Sequence, residues 1–359
     1  MAGSMSDQTA GVFIDLAPQH PQLFFFTTPG EAPALLDLLQ QPRVLDTLSS
    51  CAAGVAVALT DLDASQSAIM RLLANRGIPI IAWICPSSAK GGALSLANYP
   101  DAAACYRNLR TWVAQEQIQF AAVGLAVEPP ADDSDPSDWS TWHALRSFAR
   151  GLWLARDNAL YPASKAAYRD LVATMRHDGY EVHGYQLPFV ADDRRAHTTL
   201  MQRALDILDL PSDVDVLLCG SDVPIDWLNG DLGGALIASY GPHADAIGVA
   251  IAEDITHGTA YPPWPDLRRD LLLAAQHTDT IYVDSLEQCV HAGLLELIAQ
   301  LDWDAPAHVR IGRLGLVQAG RTLIWGVLLL GRFGWRILSW VGWLLAFLLW
   351  LRGRRSRSL

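Results

Sequence analysis

Residues 53–85, AGVAVALTDLDASQSAIMRLLANRGIPIIAWIC, contain one full copy of the pattern that decides the fold. The run 53–60 is short and apolar, 64–76 carries its apolar residues at helical spacing, and 78–85 is again a short apolar run rich in branched side chains. A strand, a helix and a second strand of this kind imply parallel pairing, because a parallel neighbour is reached only through a crossover. The unit recurs from residue 11 to residue 300. Expected strands are 11–16 or 22–27 for the first, then 53–60, 78–85, 120–128, 181–187, 214–219, 245–252 and 280–284. The helices between and after them are expected at 31–50, 64–76, 99–116, 139–177, 195–208, 225–240, 265–277 and 287–301. Of these, 139–177 is long enough for two and contains Pro162. Eight strands with eight crossovers predict an α/β fold closed into a (β/α)8 TIM-type barrel over 1–308. The competing open, doubly wound sheet would want a Gly-rich phosphate loop after a strand, and none is present.

Charge divides the chain in two. Its net charge is -12, yet residues 309–359 hold nine Arg and no Asp or Glu. Removing those nine from 26 basic residues leaves 17 against 38 acidic ones, so the body carries -21. Such a surface repels phosphate backbones and excludes nucleic acid as a partner of the barrel. Cys51, Cys85, Cys105, Cys219 and Cys289 are odd in number and scattered, with no metal-ligand spacing, so free thiols in a reducing compartment are expected and no metal or other cofactor is implied. Residues 1–22 show no basic segment followed by a long apolar run, and together these features predict a barrel on the cytoplasmic side. The acidic stretch 129–140, PPADDSDPSDWS, lacks the central Gly and closing Glu of a calcium loop and reads as solvated loop.

Barrel enzymes carry their chemistry where strands end, so the residues at those ends are the candidates. Carboxylates recur there: Asp61, Glu128, Asp222, Glu253 with Asp254, and Asp284 with Glu287 one turn later. Trp83 ends the third strand and Tyr185 with Gln186 the fifth. An acidic and aromatic rim suits a polyhydroxylated ligand, since rings stack on sugar faces while carboxylates accept from hydroxyls or act as acid and base. Asp is also a favoured helix cap, and Asp61, Asp222 and Asp284 fit that duty equally well. Glu is a poor cap, which singles out Glu128 after the wholly apolar run 123–127.

The stretch 123–130, VGLAVEPP, resembles the fourth strand of glycoside-hydrolase-like barrels. In the chitinase-like pattern Asp-x-x-Asp-x-Asp-x-Glu, Glu128 matches the acid, while Ala121, Gly124 and Ala126 replace the three aspartates. It is also similar to retaining glycosidases whose fourth strand ends Asn-Glu-Pro and whose seventh ends in a nucleophilic Glu. There Glu128-Pro129 and Glu253 match, and Val127 replaces the Asn. The resemblance implies a hydrolase of a glycosidic bond with Glu128 and Glu253 as catalytic pair, and with Trp83 and Tyr185 as stacking walls. Other chemistries lack their parts: His20 is the only histidine before His143, His183 is expected toward the outer helices or the barrel's lower end, and Ser221 and Ser285 lie in no nucleophile elbow. A non-catalytic barrel that binds a saccharide, lipid headgroup or protein is the alternative.

From residue 309 the chain turns basic and Trp-rich and keeps helical periodicity to 351. Arg310, Arg313, Arg321, Arg332 and Arg336 fall within an arc of about 140°. The stripe and the +9 charge are expected to draw 309–359 to anionic lipids. The uncharged stretch 337–351 is 15 residues long, short of the ~20 that span a bilayer core. An interfacial or re-entrant segment is therefore preferred over a tilted span or a soluble helix packed on a partner.

Overall fold

The computed structural model describes residues 20–86, 93–128, 158–219, 232–254, 259–261 and 263–355. Eight parallel strands close a barrel: β1 (Gln22–Phe26), β2 (Gly54–Leu59), β3 (Ile80–Ile84), β4 (Ala122–Ala126), β5 (Glu181–Gln186), β6 (Val214–Leu218), β7 (Ala246–Ala250) and, after the hairpin β8 (Ala252–Asp254) and β9 (Thr259–Tyr261), β10 (Thr280–Asp284). Each strand pairs with its neighbours in the chain, and β10 closes the ring on β1 with Gln22 opposite Thr280. The first strand is thus the later of the two expected runs, while 11–16 lies outside the described residues.

The outer layer consists of α1 (Ala32–Leu39), α2 (Pro42–Ser50), α3 (Ala64–Asn75), α4 (Tyr99–Glu116), α5 (Leu160–His177), α6 (Phe189–Ala196), α7 (Leu200–Ala204), α8 (Gly233–Tyr240), α9 (Trp264–Ala275), α10 (Leu286–His291) and α11 (Leu295–Ala299). The expected helices 31–50 and 287–301 are each broken in two, and the expected 195–208 is replaced by two shorter helices of which the first already starts at Phe189, each for a local reason. Pro42 cannot continue α1 because it has no N–H to give, so a new helix starts on it. His197 takes a left-handed conformation after α6, and the Asp193 side chain then accepts from the Met201 and Gln202 N–H groups that open α7. Gly293, at φ 66°, separates α10 from α11. Of the expected helices 139–177 and 225–240, the parts 139–157 and 225–231 lie outside the described residues.

Alternate strand residues fill the barrel. Phe24 and Phe26, Ile81, Tyr185, Val216 and Tyr282 point inward among Ala56, Ala122, Ala126 and Ala246, with Trp83 packed against them. Large rings are matched by missing side chains on facing strands: a Cβ on Gly124 would stand 2.4 Å from the Tyr185 hydroxyl, and one on Gly54 would run into the Phe24 ring. The interior is therefore a packed core and not a pore. Its aromatic members meet at centroid separations of 4.7 Å (Phe26 to Tyr185), 5.1 Å (Phe26 to Tyr282) and 5.2 Å (Phe26 to Trp83). Each such pair adds about 0.5–1.5 kcal/mol beyond the area it buries.

A last helix, α12 (Ile311–Arg355), extends over 45 residues. By length and apolarity alone, 23 residues of it, Ile311–Phe333, suffice to cross a membrane, with mean hydropathy 1.5. That half is docked on the barrel. Arg321 is buried, donating through Nε to Asp192 (3.0 Å) and through Nη1 to the Ser239 carbonyl, and its guanidinium lies 3.9 Å from the Tyr240 ring centroid. Leu328 is buried between α6 and α7 with Ala196 and Met201, and Arg332 donates to the Ala196 carbonyl at 2.9 Å. Arg321, expected to meet lipid headgroups, is instead buried against protein, because the flank offers it the Asp192 carboxylate and the Ser239 carbonyl, while Arg332 stays exposed beside the Ala196 carbonyl.

Candidate functional site

The strands' C-terminal ends form the barrel mouth, and alternation along each strand decides what reaches it. On β4 the inward positions are Ala122, Gly124 and Ala126, so Glu128, two residues on, continues that series at the rim. Its backbone N–H donates to the Leu94 carbonyl at 2.8 Å, which ties the strand end to the segment before α4. The side chain reaches solvent, yet its surroundings remove enough water to raise the carboxyl pKa above the usual range. The Glu128 charge also helps to push up the buried Cys85 thiol at the end of β3, after desolvation as the main cause, which makes the two neighbours across the β3–β4 pair.

Below this rim lies the aromatic floor. Trp83 is half-buried and lies edge-on to Tyr185 at 5.9 Å, so it is the ring open to a ligand. Tyr185, expected as a second stacking wall, is instead sunk among Phe26, Trp83 and Tyr282, and desolvation raises its hydroxyl pKa far above the ordinary value. Because Tyr185 faces inward, Gln186 must face outward: its Nε2 donates to Asp215 at 3.2 Å and its Oε1 accepts from Arg194 at 3.4 Å. Gln186 belongs to the flank and not to the mouth, contrary to the expectation.

On the opposite rim, Glu287 in the first turn of α10 is buried and accepts from the Thr28 N–H at 3.0 Å through Oε1. Its other oxygen, Oε2, is buried and finds no hydrogen-bond partner among the described residues. Desolvation outweighs the hydrogen bonds and holds the Glu287 carboxyl above the usual range. The capping duty considered for Asp61 and Asp284 falls elsewhere: Asp63 accepts from Gln66 N–H at 2.9 Å to cap α3, and Ser285 caps α10. Asp61 and Asp284 are both exposed at strand ends, and Asp284 follows Tyr282 on the inward series.

Glu253 and Asp254 lie on β8, which continues from β7 at the mouth and pairs antiparallel with β9, Glu253 opposite Ala260. Their side chains, like the whole of Asp222 and the loop 129–140, lie outside the described residues. His183 sits inside the barrel two residues below Tyr185, its Nδ1 hydrogen-bonded to the Tyr282 hydroxyl, and burial lowers its pKa. It is thus at the lower end and apart from the rim acids. Phe26 and Tyr282 complete the floor and are not among the sequence candidates, because those candidates are the residues that end each expected strand and these two lie just before such an end. Among the described residues no three His, Cys, Asp or Glu side chains converge as metal ligands. In comparison with known proteins, no family model and no curated protein matches this chain.

Proposed function

We propose that the barrel is tethered to a membrane through α12 and that its mouth takes a polyhydroxylated ligand, where Glu128 acts as the proton donor of a glycosidic-bond hydrolase. One observation carries this reading: a desolvated carboxyl stands at the end of β4, continuing the inward series of the strand that neighbours β3 and its half-open Trp83. A protonated acid near neutral pH is what a departing sugar oxygen requires. Glu253 is the second carboxylate of the reading, as nucleophile at a separation of about 5–5.5 Å or as base for a water at about 6.5–9.5 Å. Asp61, Asp284 and Glu287 supply acceptors for ligand hydroxyls.

The test is hydrolysis of a panel of 4-nitrophenyl glycosides by the full chain and by Glu128→Gln. Activity in the parent that falls about 10²–10⁴-fold in the variant supports the acid role. It should also decline as pH rises through the raised Glu128 pKa, since the proton is then lost. Equal hydrolysis by the two proteins overturns the assignment. A second reading, a saccharide-binding barrel without catalysis, is favoured by the bare inward face of β4, where Ala122, Gly124 and Ala126 leave Glu128 with no carboxylate beside it on its strand. Binding of oligosaccharides by calorimetry with no turnover selects that reading.

A further inference from the structure

One side of α12 holds the helix to the barrel, and the opposite side has a different composition. On the docked side Arg321 bonds Asp192, Leu328 is buried with Met201, and Gly331 passes so close to Leu200 that a Cβ on it would stand 2.5 Å from the Leu200 Cδ1. A helix turns through about 100° per residue, so these three residues mark one face. Counted in the same way, Leu316, Leu323, Val327, Leu330, Val341 and Leu344 share an arc of about 100° on the far side. All six are exposed, Leu323 at 67% and Leu330 at 60%. No polar residue between Arg313 and Arg352 falls within that arc. From Leu316 to Leu344 the apolar stripe covers about 42 Å at 1.5 Å per residue, which makes it an interaction surface.

Charge selects the partner of this surface. No acidic residue follows Asp304, whereas nine Arg fall in 309–359. A second copy of the chain laid along the stripe would set Arg beside Arg, while anionic headgroups meet the same residues as counter-charges. Trp340 and Trp343, 77% and 74% exposed, lie beyond one edge of the stripe, where a helix in the interface carries its amphipathic rings. Crossing the bilayer with 311–333 is the competing use of these apolar residues. It requires Arg321 to leave the buried Asp192 and enter hydrocarbon, and a helix lying flat requires neither.

We propose that α12 lies flat in the interface of an anionic bilayer, with the stripe from Leu316 to Leu344 toward the acyl chains and the barrel on its other side. The helix is then a layer between protein and lipid: the flank built from α6, α7 and α8, against which it packs, is the side of the barrel turned to the membrane. The docked half takes part in binding without leaving Asp192. This rests on the tether in the reading above and not on the chemistry at Glu128.

An environment-sensitive dye on the full chain tests the arrangement. It is placed in the docked half by Leu323→Cys, in the distal half by Leu344→Cys, or on α3 by Ala74→Cys, an exposed position after β2, which stands opposite β6 in the ring. Unsubstituted protein serves as the labelling blank, and vesicles contain phosphatidylcholine and phosphatidylserine. Binding should raise emission about twofold or more at 323 and at 344 and leave 74 unchanged. Nitroxides at carbon 5 of the acyl chains should quench both positions more than nitroxides at carbon 12. A response at 344 without one at 323 overturns the flat course and leaves the tether standing, as does stronger quenching of 323 from carbon 12, the mark of a span. A change at 323 that follows protein concentration without vesicles gives the face to a second copy and overturns the lipid. Failure to sediment with vesicles overturns the tether and this inference together. Combining Leu323→Glu with Leu330→Glu changes exposed residues away from the docking contacts, and should weaken vesicle binding about tenfold or more. Unchanged binding by that variant overturns the assigned face.

Discussion

The flank under α12 and the rim of the mouth both hold acids drawn out of water, yet they treat them in opposite ways. On the flank, Asp192 accepts from Arg321 at 3.0 Å and from the Tyr240 hydroxyl at 2.6 Å, and Asp193 accepts from the N–H groups of Met201 and Gln202. At the rim, Glu287 keeps one oxygen without a partner and Glu128 has its pKa raised by desolvation alone. Acids with a donor for each oxygen hold structure together, whereas acids left short of donors are placed in a way that suits proton transfer or ligand binding. The difference separates what docks the helix from what is offered to a ligand.

The largest effect should come from breaking the flank. Arg321→Ala leaves the Asp192 charge buried without its cation, a loss of about 3–5 kcal/mol for pairs of this kind. Denaturant unfolding of the full chain reads the loss, and proteolysis should reach α12 sooner. A loss below about 1 kcal/mol would mean that the pair is as weak as a solvent-exposed one. Next in size, Tyr240→Phe removes one donor to the same carboxylate while Arg321 remains, and should cost about 1.5–3 kcal/mol. If the two substitutions are combined, the total should fall short of their sum, because they share Asp192.

The barrel was legible because its strands are short apolar runs at regular spacing, and eight of them admit few topologies. Trp83 and Glu128 were readable as candidates because they end adjacent strands. Helix ends were less legible, since the breaks at Pro42, His197 and Gly293 depend on local backbone choices that apolar periodicity does not record. The docking of α12 was not legible at all. Arg321 and Asp192 are 129 residues apart, and a stripe of Arg on a helix looks the same whether it meets lipid or a buried carboxylate. Tyr185 and Gln186 show a finer limit: both end β5, but only the direction of one settles that the other leaves the mouth.

The smallest effect, and the one that sharpens the contrast most, is expected at Glu287. Its folded-state pKa is raised, so the stability associated with the protonated carboxyl is fully present below the ordinary glutamate range and is lost as pH rises through the folded value. Glu287→Gln keeps an oxygen for the Thr28 N–H and removes the titration. The variant should therefore gain on the parent as pH increases from the acid side to neutral. The absolute stability is not the readout, since the new amide nitrogen also lacks a partner; the change of the difference with pH is. Parallel unfolding curves for parent and variant at several pH values measure it. A difference that stays flat, or that shifts in the parent's favour as pH rises, would show that Glu287 ionises without cost, and the rim would then resemble the flank.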